Sequence, residues 1–156
     1  MLIKLLLSLP NKILIWLSRK EQITAKGGRK LDPGFQFLLS FMGGEDSEAI
    51  DHTLPAAEQR KQADEALKPL WALSAPLPNG TDYIDHQVTS DGASVRVREY
   101  FNNNLEKNAP ALIYFHGGGW VFFNIESHHT FTGSLSDILK AKVFSVDYRL
   151  APENPY

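Results

Sequence analysis

The chain has 156 residues and a formal net charge of −2, long enough for one domain with a real core and too weakly charged to draw a nucleic-acid partner. Cysteine is absent, which excludes a disulfide framework, a thiolate metal site and a cysteine nucleophile. A hydrophobic content of 43% and a charged content of 22% are those of an ordinary globular protein.

Residues 1–20, MLIKLLLSLPNKILIWLSRK, are rich in Leu and Ile. Pro10, Asn11 and Lys12 interrupt the apolar run, so no stretch approaches the ~20 residues of a membrane span. Ser18-Arg19-Lys20 places positive charge on the wrong side of the apolar segment for export. The preferred reading is an amphipathic helix packed on the protein, with a cytoplasmic location; an interfacial membrane helix and a cleaved export signal are the alternatives. Asp32-Pro33 reads as a helix start, and Phe35, Leu38, Leu39 and Met42 follow at helical spacing until Gly43-Gly44. A second helix is predicted from near Pro55. Ala63, Ala66, Leu67, Leu70 and Trp71 line one of its faces, and Arg60/Asp64 and Lys61/Glu65 form i,i+4 pairs on the other. Pro76, Pro78 and Asn79-Gly80 then mark a linker.

Beyond the linker the period changes. TDYIDHQVTS and ASVRVREYF flank Asp91-Gly92, a hairpin signal, with Val95 and Val97 alternating against Arg96 and Arg98 as in a half-solvated strand. ALIYF, residues 111–115, is a continuous apolar run that suits a strand buried on both faces of a parallel sheet. Phe131, Leu135, Ile138 and Leu139 give residues 127–140 an apolar helical face, and KVFSVDY reads as another buried strand. Strand, helix and strand make a βαβ unit, so the fold class is α/β.

Between ALIYF and that helix stand Gly117, Gly118 and Gly119. Glycines at the carboxyl end of a parallel strand let a ligand approach main-chain N–H groups with no Cβ in the way. A phosphate is the weaker candidate: the glycines are contiguous rather than spaced as G-x-G-x-x-G, bulky Trp120-Val121-Phe122-Phe123 follow, and no Lys with Ser or Thr comes next. An oxyanion and a merely flexible turn remain.

His116-Gly117-Gly118-Gly119-Trp120 and Asp147-Tyr148-Arg149-Leu150-Ala151-Pro152-Glu153 together resemble the hormone-sensitive-lipase-like family of α/β-hydrolases, which are serine carboxylesterases and lipases. The close resemblance covers residues 110–156. It implies a partial α/β-hydrolase fold, with residues 1–79 as a helical N-terminal cap region and 80–156 as the N-terminal half of the core. It also implies that the Gly117 and Gly118 N–H groups face the carbonyl oxygen as it turns negative and that Gly119 shapes the bend. His116 would lock the loop through hydrogen bonds, Trp120 would line the acyl pocket or pack in the core, and Asp147 with Arg149 would form a supporting charge pair. Phe123 departs from the family, which often has glycine there. His128-His129 with His116 do not form a metal-site pattern, and no metal or other cofactor is expected.

The family's nucleophile lies in a G-x-S-x-G elbow, and its acid and histidine follow. No such elbow occurs here, and Gly133-Ser134-Leu135-Ser136 falls mid-helix without the second glycine. The expectation is a carboxylic ester hydrolase truncated before the elbow, with a small-molecule carboxylic ester as the partner of the completed enzyme and no turnover by these residues alone. A non-catalytic interaction module and one half of a split esterase are the alternatives.

Overall fold

A computed structural model describes residues 2–41, 51, 53–71 and 73–155. The first apolar stretch breaks at Pro10, whose ring nitrogen cannot donate, into α1 (Leu2–Leu7) and α2 (Asn11–Leu17). Leu14 is buried, and α2 packs on α3 (Pro33–Phe41). Asp32 caps α3 as expected, its Oδ1 accepting from the Phe35 N–H at 3.0 Å. The buried face of α3 is a correction: Gln36 and Phe37 point inward and Phe35 and Leu39 are exposed. Gln36 is drawn in because it fastens the preceding loop. Its Nε2 donates to Ser18 Oγ (3.0 Å) and the Glu21 carbonyl (3.1 Å), and its Oε1 accepts from the Ile23 N–H (2.8 Å). Met42, Gly43 and Gly44 lie outside the described residues, as does the side chain of Leu70. Helix α4 runs Ala56–Trp71 with Ala63 buried. No helix among the described residues is long and apolar enough to cross a membrane.

The strands are β1 (Thr81–Ser90), β2 (Ala93–Asn102), β3 (Ala111–Phe115) and β4 (Lys142–Asp147), with α5 (His129–Leu139) joining the last two. They form one four-stranded sheet of order β1-β2-β4-β3. Asp91 and Gly92 both take positive φ, 51° and 75°, as a two-residue hairpin turn requires. β2 pairs antiparallel with both β1 and β4, and β3 pairs parallel with β4.

The side-chain pattern corrects three expectations. In α5 the buried residues are Thr132, Gly133 and Ser136, whereas Phe131, Ile138 and Leu139 are exposed. The helix lies so close to its neighbours that a Cβ on Gly133 would meet Leu77 at 2.3 Å and Tyr100 at 3.2 Å. Only small side chains fit, and their hydroxyls are satisfied: Thr132 Oγ1 donates to the His128 carbonyl (2.8 Å) and Ser136 Oγ to the Ala141 carbonyl (2.7 Å). On β2 it is Arg98 that is buried, while Val95 and Val97 are only half-buried. In β3 Ile113 and Phe115 are 63% and 62% exposed, because α5 covers one face of the sheet and the other stays open among the described residues.

Candidate active site

β3 and β4 end side by side, with Phe115 opposite Val146, so segments 116–123 and 148–153 leave the sheet together at its carboxyl edge, where α/β sheets place ligands. His116 is 4% exposed and stacks on Tyr148, ring centres 4.2 Å apart. Tyr148 also donates its hydroxyl to the His116 carbonyl at 2.7 Å. The Nδ1 of His116 is 2.8 Å from the Gly117 carbonyl; a carbonyl only accepts, so Nδ1 carries the hydrogen. Its Nε2 is buried without a hydrogen-bond partner among the described residues.

Gly118 has φ +127°, and a Cβ there would sit 2.0 Å from the Phe122 carbonyl oxygen. That approach lets the Gly118 carbonyl accept from the N–H groups of Phe122 (2.9 Å) and Val121 (3.2 Å), closing a tight turn. Trp120 and Phe123 also hold left-handed φ, 61° and 72°. Phe123 thus adopts a conformation that glycine accepts more readily, at the position where the resembled family often has glycine. The N–H groups of Gly117, Gly118 and Gly119 donate to no main-chain acceptor among the described residues. Beside them lies a cavity of about 450 Å³ lined by Phe115, His116, Gly117, Gly119, Trp120 and Tyr148. Trp120 is 76% exposed, so it is a wall of this cavity and not a core residue.

The charge pair expected between Asp147 and Arg149 is not formed. Asp147 stands directly across from Arg96 in the β2–β4 register, and its Oδ2 accepts from Arg96 Nη2 (3.1 Å) while Oδ1 accepts from the Ile125 N–H (3.4 Å). Arg149 lies past the strand end, is exposed, and makes no ion pair among the described residues.

A second polar cluster braces the segment that follows the glycine loop. Arg98, 4% exposed, donates to both oxygens of Asp85 (2.6 and 2.8 Å) and of Glu126 (2.8 and 3.0 Å) and lies over the Tyr83 ring at 4.4 Å. Its hydrogen bonds hold the carboxyls of Asp85 and Glu126 below the usual carboxylate range. Burial pushes Tyr100 up to about 12, and its hydroxyl is 2.8 Å from His129 Nδ1. Burial, then the Arg98 charge, lowers His129.

His128 faces the opposite way, its ring 5.6 Å from that of His116; burial, then His116, lowers its pKa. Ser127 Oγ is 3.0 Å from His128 Nδ1 but donates to the Asn124 carbonyl at 2.7 Å and accepts from the Asn124 N–H at 3.1 Å, the geometry of a turn fastener. Among the described residues no group of three or more His, Cys, Asp or Glu could hold a metal ion. His116, Gly117, Gly119 and Trp120 therefore line one cavity, Gly118 shapes the turn between them, Asp147 supports the following segment, and Arg149 stands apart. Tyr148, Arg96 and Arg60 were not singled out for the site from sequence, although Tyr148 sits inside the motif that held the other candidates.

The family described as the alpha/beta hydrolase fold matches residues 112–156. Carboxylesterase NlhH of Mycobacterium tuberculosis is 38% identical over 127 residues, covering 81% of this chain and 37% of that protein. The 3-O-acetylpapaveroxine carboxylesterase CXE2 of Papaver somniferum is 53% identical over 58 residues, 36% of this chain and 18% of its own. Among solved structures, the thermostable carboxylesterase EstE1 from a metagenomic library matches with TM-score 0.61 and 34% identity over 69% of this chain and 35% of that one. The chain thus spans less than two fifths of the length of these relatives.

Proposed function

Because the chain belongs to the hormone-sensitive-lipase-like family of α/β-hydrolases, we propose that it supplies the cap region (1–79) and the oxyanion half of the core (80–156) of a serine carboxylesterase. The observation that carries this reading is that the Gly117 and Gly118 N–H groups have no main-chain acceptor among the described residues, in a loop that borders an apolar-walled cavity. When a nucleophile attacks an ester carbonyl, its oxygen gains negative charge, and fixed N–H donors lower that barrier because they need no reorganisation. One such donor is worth about 2.7–4 kcal/mol of transition-state stabilisation. His116 does not move a proton in this scheme: its Nδ1 hydrogen is committed to the Gly117 carbonyl, so it fastens the loop. Trp120 receives the acyl group.

The serine, acid and histidine base come from further polypeptide, since these 156 residues hold no G-x-S-x-G elbow and Ser127 already spends its hydroxyl hydrogen on Asn124. The outer edge of β3, unpaired among the described residues, supports a strand being added there, by the same chain or by a separate one, which is also what a split esterase or an interaction module would use. In the test, residues 112–156 replace the matching segment of the mycobacterial carboxylesterase. The chimera should hydrolyse p-nitrophenyl butyrate, and Gly118→Ala, whose Cβ would run into the Phe122 carbonyl and turn the Gly118 N–H out of line, should lower its kcat by up to about 10²–10³-fold, the loss of one donor. A folded chimera whose kcat survives that substitution overturns the oxyanion role. Stoichiometric fluorophosphonate labelling of the 156-residue chain alone overturns the half-enzyme reading.

A further inference from the structure

Arg60, on the helical side of the chain, hydrogen-bonds to the glycine loop. We propose that Arg60 of α4 is a positioning residue that clamps this loop to the segment after β4. Its Nε donates to the Val121 carbonyl (2.6 Å), its Nη2 to the Ala151 carbonyl (2.5 Å), and its Nη1 and Nη2 to the two carboxylate oxygens of Glu153 (3.0 and 2.6 Å). All three guanidinium nitrogens are engaged, in the fixed planar fork that a lysine cannot copy. Arg60 forms no ion pair with Asp64, the i,i+4 partner expected from sequence, because four of its five N–H groups go to Val121, Ala151 and Glu153. Asp64 behaves accordingly, since burial alone raises its pKa and no cation lowers it.

The two carbonyls belong to strands of chain that are already joined: the Ala151 N–H donates to the Trp120 carbonyl at 2.9 Å. Arg60 therefore closes a three-way junction of α4, the loop and the segment after β4. That junction grips the loop between Trp120 and Phe123, its two non-glycine residues in left-handed φ. Such conformations persist only where the surroundings over-determine them. The clamp leaves the Gly117–Gly119 N–H groups uncovered while fixing the bend that orients them. Glu153, about half exposed, sets the guanidinium plane; the carbonyls are what it holds in place. The clamp stands on geometry alone, while its consequence for ester attack rests on the oxyanion reading above.

Backbone amide exchange, read by mass spectrometry on the full chain, tests it. In Arg60→Met, peptides spanning 117–123 should exchange about tenfold faster, the effect of losing one charge-assisted hydrogen bond, while the hairpin 81–102 is unchanged. Arg60→Lys should behave like Arg60→Met, because charge without the fork is insufficient. Glu153→Gln should accelerate the loop less, since both carbonyl contacts remain. Unaltered loop exchange, or equal acceleration in the hairpin, overturns the clamp; if Arg60→Met does not fold, Glu153→Gln decides by the same two criteria. Loop protection lost in Arg60→Met, alongside a chimera indifferent to Gly118→Ala, would keep the clamp and discard the oxyanion reading.

Discussion

Arg98 and His116 are equally withdrawn from water, at 4% exposure each, yet Arg98 is saturated with partners while His116 Nε2 has none among the described residues. The two stand on different parts of one frame. Arg98 lies mid-strand, where the hairpin carboxyl Asp85 and the loop carboxyl Glu126 converge and any unpaired charge would be costly. His116 lies just beyond a strand end, beside a cavity and three glycine N–H groups that donate to no main-chain acceptor among the described residues. Buried polar groups are normally paired, and His116 Nε2 is one of two buried side-chain polar atoms, the other being Ser145 Oγ, that lack a partner among the described residues. The saturated cluster serves the open one. By holding Glu126, and by pairing Arg96 with Asp147, the hairpin fixes the far end of the segment that begins as the glycine loop.

The largest effect should come from emptying the saturated side. Removing one member of a wholly buried ion pair costs about 3–5 kcal/mol. Asp85 and Glu126 keep a third to a half of their side chains in water, so Arg98→Met should cost less, about 2–3 kcal/mol in urea unfolding. A loss under about 0.5 kcal/mol, the usual range for an ordinary surface substitution, would show that the cluster is no brace.

Acidification should act in the same direction and more gradually. His128 and His129 titrate below their ordinary value in the folded chain, so the unfolded chain binds more protons near pH 6 and stability falls as pH drops through about 6.5. Asp85, Glu126 and Glu99 are also held low, Glu99 chiefly by Lys142. Their contribution is complete above about pH 4.3 and is lost below it as pH falls toward their depressed folded values. Urea midpoints at pH 7.5, 5.5 and 3.5 should therefore decline in that order, and Arg98→Met should flatten the lower step. A higher midpoint at pH 5.5 than at pH 7.5 contradicts the histidine assignment.

What sequence revealed of this arrangement follows how local each signal is. The hairpin, the Asp32 cap and the parallel βαβ unit were legible because turn chemistry and short-range pattern dictate them. The faces were not. Arg98 reads as the wet side of a strand, and only the arrival of Glu126, 28 residues later, makes its burial sustainable. Thr132, Gly133 and Ser136 read as the polar face of α5, and only the closeness of Leu77 and Tyr100 turns small size into the reason for burial. Arg60 reads as half of an i,i+4 pair, whereas its partners lie 61 to 93 residues further along the chain. At the site, His116, Gly117, Gly119 and Trp120 of the first motif line one cavity, whereas the expected pair within the second motif is not formed, and the contacts between motifs were those that sequence could not show. Asp147 found Arg96, and Tyr148 found His116.

That last pair gives the smallest and most selective effect. Tyr148→Phe keeps the ring that stacks on His116 and deletes only the hydroxyl that donates to the His116 carbonyl. The carbonyl borders the cavity and can take water instead, so the cost is that of one ordinary hydrogen bond, about 1 kcal/mol, or roughly 2–4 °C in Tm for a chain of this size. Arg149→Ala, next to it in sequence but exposed, should stay within about 0.5 kcal/mol of the parent. If the two substitutions prove equal, the hydroxyl is not what holds the start of the glycine loop. The stacked ring would then carry that task alone, and Tyr148→Leu would show the larger loss.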